Sequence, residues 1–144
     1  MVDMALVKEI KDKMDAGPES ADPDDVLKMY ELFKQISLEN EDLKEELEDM
    51  DIAVQMVISD IDKKYWVTVK EGVLNYGAGD VENPSFTFSA TKDVGTSLLF
   101  GEVDATSAYM AGDITVEGNL QDAMAFQEII ELAMEAFEDL VEDL

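Results

Sequence analysis

"AYMAGDITVEGNLQDAMAFQ", residues 108–127, is the stretch on which the fold turns. Gly112 and Gly118 bracket an alternating run, Asp113 to Glu117, that reads as a short strand with a turn at each end. Asn119 follows as the expected N-cap of a long helix from 120 to about 142. A glycine-flanked strand feeding a helix is also where phosphates are cradled, but such a loop needs a lysine at the helix start. Here "EGNLQDA" has one glycine, no lysine, and Asp122 where an anion would sit. The glycines are therefore turns and not a nucleotide loop.

Upstream, the apolar period changes from helical to alternating at Asp51. Residues 3–15 place Leu6, Val7, Ile10 and Met14 on one helical face, and "AGPESA" (16–21) reads as a linker. "DPDD" (22–25) predicts a helix start, with Asp22 as N-cap and Pro23 as first helical residue. Val26, Leu27, Tyr30, Phe33 and Ile36 continue it as a stripe, and Asn40 caps a second short helix carrying Leu43, Leu47 and Met50. "DIAVQMVISD" (51–60) then alternates, with Ile52, Val54, Met56 and Ile58 on one face and Gln55 and Ser59 on the other. "KYWVTVK" turns at Glu71-Gly72 into "VLNYGAG", and "SFTFSA" (85–90) puts Phe86 and Phe88 on one side. Thr91 caps a short helix that Gly101 would close, and Asp104 or Thr106 starts another ending near Met110. Helices, a three-strand meander, a fourth strand, a helical crossover, a fifth strand and a last helix make one α+β domain (22–144) behind an N-terminal extension (1–21).

Composition removes most chemistry. The chain has 144 residues, and ten lysines face 35 acids for a net charge of −25, with no arginine, histidine or cysteine. Such a field repels nucleic acid and anionic lipid surfaces. Catalytic triads, thiolate nucleophiles and His- or Cys-ligated metals are excluded, and no cofactor is called for. No run approaches the ~20 apolar residues of a membrane span, and the N-terminus is no signal peptide, so a cytoplasmic, non-catalytic protein is expected. The acid-rich "ENEDLKEELEDMD" and "EAFEDLVEDL" lack calcium-loop spacing and read as solvated helix faces; glycosidase-like carboxylate pairs stay open. From Ala123 to Phe137, eleven of fifteen residues are apolar. That is wider than one core contact needs: the helix is plain core, a dimer face, or the border of a cavity, and periodicity alone favours core.

Taken together, residues 108–127 resemble the signature region of the sterol carrier protein 2 family. The resemblance is carried by Ala108, Tyr109, Gly112, Ile114, Val116, Gly118, Asn119, Ala123, Met124 and Gln127, supported by "YWVTVKEGVLNYGAG" (65–79) and "PSFTFSATKDVGTSLLFGEVDATSAYMAG" (84–112). It covers about residues 24 to 134. It implies a five-stranded mixed sheet covered on one face by helices, with an apolar tunnel between them for a sterol, fatty acyl chain or other lipid. By position it implies a lining of Phe86, Phe88, Leu98, Leu99, Met110, Met124, Phe126, Gln127 and Ile130, with Gln127 as the polar anchor. The chain ends "EDL", without the peroxisomal tripeptide of some family members. Its acidity, unlike the basic character of members that work at membranes, disfavours collision with anionic bilayers and binding of acyl-CoA phosphates. The reading is a lipid-binding or lipid-carrier protein. The rival is an interaction or homodimerisation module of the same fold with a collapsed cavity.

Overall fold

The structure, a computed structural model, describes residues 2–17, 22, 24–100 and 102–144. The roles expected of Pro23, Gly101 and residues 18–21 of the linker lie outside these. The elements run α1 (Met4–Ala16), α2 (Asp25–Glu39), α3 (Glu41–Glu48), β1 (Ile52–Ile58), β2 (Lys63–Lys70), β3 (Val73–Ala78), β4 (Phe86–Ala90), α4 (Lys92–Leu99), α5 (Ala105–Ala111), β5 (Thr115–Gly118) and α6 (Leu120–Glu142).

The strands form one mixed sheet in the order β3-β2-β1-β4-β5, with β1 and β4 parallel and every other pair antiparallel. Its register sets the layers. Val54 pairs with Val67 and Phe86, and Met56 with Tyr65 and Phe88, so one apolar row runs across β2, β1 and β4. The helices cover that face. The β2–β3 turn uses Glu71 and Gly72 at φ 52° and 79°, the two positive dihedrals that a tight two-residue hairpin wants. Gly118, at φ 112°, is required twice over: a Cβ there would meet the Ser85 carbonyl oxygen at 2.6 Å.

Caps follow the sequence with one revision. The Asn40 side chain accepts from the Leu43 N–H at 3.0 Å, and Asn119 accepts from Gln121 and Asp122 at the head of α6. Asp22 does not cap α2 directly. Its carboxylate accepts from the Asp24 N–H, closing a turn one step before the helix begins at Asp25. Two tyrosines then rivet α2 to the sheet. Tyr65 donates to Asp24 at 3.0 Å and Tyr76 to Glu31 at 2.8 Å, and burial first, then the carboxylate partner, pushes both phenols up to about 12.

β1 departs from simple alternation, because a central strand is buried on both faces. Gln55, on the face without helices, is only 6% exposed. Its amide donates to the Tyr65 and Gly79 carbonyls and accepts from the Val81 N–H, so it fastens the 79–82 loop across the back of the sheet. α1 packs beside α2 and α6, burying Val7 and Ile10 in the same core, and is tied there by the Lys28–Glu9 ion pair.

Candidate functional site

The core does not fill the helical side evenly. Between α6 on one side and α4 and α5 on the other, over β1 and β4–β5, lies a cavity of about 700 Å³. Its floor is Val54 and Met56 of β1, Phe86 and Phe88 of β4, and Val116 of β5, all on the helix-facing row that the register sets. α4 contributes Leu98 and Leu99, the segment leading into α5 contributes Val103 and Asp104, and α5 itself contributes Ala105, Thr106 and Tyr109. α6 supplies the opposite wall: Leu120, Ala123, Met124, Gln127, Ile130 and Met134, each three or four residues from another of the set and hence on one face. Phe126 of α6 meets Phe86 of β4 with ring centroids 6.1 Å apart, seating the helix on the sheet at the cavity's edge.

Eight of the nine expected lining residues border this cavity: Phe86, Phe88, Leu98, Leu99, Met124, Phe126, Gln127 and Ile130. Met110 does not. It lies on α5 pointing to solvent and is 81% exposed. Successive helical residues are ~100° apart, from 3.6 residues per turn. With Ala108 buried against Ala90 and Ile114, and Tyr109 at the cavity, position 110 is left facing outward.

Two kinds of polar group reach the cavity. Deep in it, Tyr30 of α2 is buried, with its hydroxyl donating to the Met56 sulfur at 2.8 Å; burial holds this phenol well above its ordinary range. At the rim, Gln127 donates to Glu131 at 3.4 Å, so the expected polar anchor is already engaged with a carboxylate. Glu131, Glu135 and Glu138 continue the same α6 edge and also border the cavity. Among the described residues no lysine lines it. Nor do the described residues bring together a group of three or more acids able to hold a metal ion. A second hollow between α2 and α4, about 30 Å³, has room for one water.

Sequence reasoning missed the floor from β1, because only the parallel β1–β4 register places Val54 and Met56 beside Phe86 and Phe88. It missed the acidic edge although a signal was there: stepping by helical intervals from Gln127 leads to Glu131, Glu135 and Glu138.

The fold has solved counterparts. The sterol carrier protein 2 of Yarrowia lipolytica, in apo form, matches at TM-score 0.58 and 14% identity, covering 72% of this chain and 88% of that one. The sterol carrier protein domain 2 of Helicoverpa armigera matches at 0.58 and 21%, covering 78% and 92%. A stereoselective inverting sec-alkylsulfatase from Pseudomonas sp. matches at 0.61 and 19%; 79% of this chain is covered, but it spans only 16% of that enzyme. No curated protein matches by sequence. The pattern of the SCP-2 sterol transfer family is matched over residues 32–131, from α2 to the middle of α6, and the chain belongs to that family.

Proposed function

We propose that the protein binds and carries an apolar or amphiphilic lipid in the cavity beneath α6, and does so without catalysis. The observation that carries this reading is the cavity itself. At about 700 Å³ and walled mainly by aliphatic and aromatic side chains, it falls in the ~300–1,000 Å³ range of small-molecule sites. Affinity would come from apolar area leaving water, at ~25 cal/mol per Å². The family's description as sterol transfer proteins supports the same class of ligand. A role without catalysis fits a chain that has no histidine or cysteine to serve as base or nucleophile.

The rival reading, a collapsed interior whose α6 docks on a partner or a second copy, expects a filled space where the cavity lies. No described helix is long and apolar enough to cross a membrane. α1 contributes nothing to the cavity lining and serves as a brace on the family domain. The test is extraction of the purified protein for mass spectrometry, followed by titration with a neutral polarity-sensitive dye and its displacement by 1-dodecanol. Co-purified lipid and saturable displacement are expected; an empty extract with no dye uptake would sink the reading.

A further inference from the structure

The apolar cavity accounts for a lipid tail and leaves open which head group its mouth accepts. Along α6 the side chains at the cavity change character. The N-terminal half presents Leu120, Ala123 and Met124, and from Glu131 onward Met134 is joined at the cavity by Glu131, Glu135 and Glu138. All three carboxylates are exposed, and among the described residues none is in an ion pair. Asp104 adds a fourth acid from the α5 side, where it caps that helix through Ser107.

This placement works against the helix. Like charges at i, i+4 (Glu131 and Glu135) and i, i+3 (Glu135 and Glu138) repel. The structure thus has an apolar cavity with one rim of uncompensated negative charge and, among the described residues, no lysine on any wall. A carboxylate or sulfate head at that rim would be repelled, and a cationic head would relieve the mutual repulsion.

We propose that the cavity selects an amphiphile with a positively charged head, such as a protonated long-chain amine. Its tail would lie between α6 and the β4–β5 floor and its head against Glu131, Glu135 and Glu138. This rests on the lipid-binding reading and adds the class of ligand to it. Exposed charge pairs are individually weak, so three of them acting on one head should give a preference of about tenfold and one that salt reduces.

The experiment compares dodecylamine, 1-dodecanol and dodecanoate, each below its aggregation concentration at neutral pH, as displacers of a neutral dye from the full chain. Wild type should bind the amine about tenfold tighter than the alcohol and the carboxylate weakest. The combined variant Glu131→Gln, Glu135→Gln, Glu138→Gln should bring the three affinities within about twofold of one another. A control, Glu41→Gln, Glu45→Gln, Glu46→Gln on the exposed face of α3, removes the same charge away from the cavity and should keep the preference. A wild-type preference absent or reversed, or lost equally in the control variant, overturns the proposal while alcohol binding leaves the cavity reading intact. Failure of all three ligands to displace the dye overturns both.

Discussion

The sheet carries two differently built halves under one helical layer. Over β3 and β2, α2 and α3 pack closely: Leu32, Phe33, Leu43, Leu47, Val67, Val69 and Leu74 are all buried, and two tyrosine–carboxylate bonds lock the layers. Over β4 and β5 the same face looks into open space beneath α4, α5 and one flank of α6. α6 belongs to both halves. Ile129, Ala133 and Phe137 are buried in the common core, while Met124, little more than one turn before Ile129, is 67% exposed at the cavity. A filled half can hold the fold while the other stays open, so the stability of the chain and the capacity of its cavity are separable properties.

That separation can be broken first in the filled half. Phe33→Ala removes a buried ring and should cost about 3–5 kcal/mol in urea unfolding. The molecules that remain folded should keep dye affinity within about twofold of wild type, since Phe33 lines no part of the cavity. A fall in affinity as large as the fall in stability would show that the halves are one unit. Gly118→Ala sits between the two, at the β5–α6 corner. Positive φ and the close Ser85 carbonyl should make it cost about 1–3 kcal/mol, read as a lower melting temperature.

The reverse test fills the open half. Ala123→Trp places a large ring on the cavity wall, and should weaken 1-dodecanol displacement by at least about tenfold (about 1.4 kcal/mol). Unfolding free energy should stay within about 1 kcal/mol, because the space it enters is empty. A variant that binds as well as wild type would refute the placement of ligand in this cavity.

The smallest effect concerns the rivets. Tyr65 and Tyr76 titrate near 12 in the folded chain against ~10 unfolded, so above pH ~10 the unfolded state loses protons first. Stability from these two groups is whole below pH ~10 and falls as pH rises through about 12. Tyr76→Phe should lose about 1 kcal/mol at neutral pH with the Glu31 bond, and should show a shallower alkaline decline in a series of urea titrations.

Much of this was legible along the chain. Asn40, Thr91, Asp104 and Asn119 mark four helix starts because a cap is a local hydrogen bond within three residues. Gly112, which closes α5, and Gly118, which ends β5, were legible because positive φ is a property of one residue, although the strand runs from Thr115 to Gly118 and not from Asp113 to Glu117. Gln55 was not legible as a buried clamp, since its partners at Tyr65, Gly79 and Val81 come from separate parts of the chain. Met110 was misplaced for a similar reason. Periodicity gives the spacing of a face on α5, and only the packing of Ala108 against Ala90 and Ile114 tells which face is inward.

What the sequence determined by itself is what one residue or one short period can encode: the order of helices and strands, the caps and turns, the acidity, the chemistry ruled out, and the family pattern of residues 108–127. What only the tertiary structure decided is where that order leaves a gap. The parallel pairing of β1 with β4 lays Val54 and Met56 beside Phe86 and Phe88 as a floor, and α6 spans it with one flank seated in the core and the other at the open space. Backbone hydrogen bonds between residues about thirty positions apart set that floor, and no local pattern of side chains can specify which strand they will join.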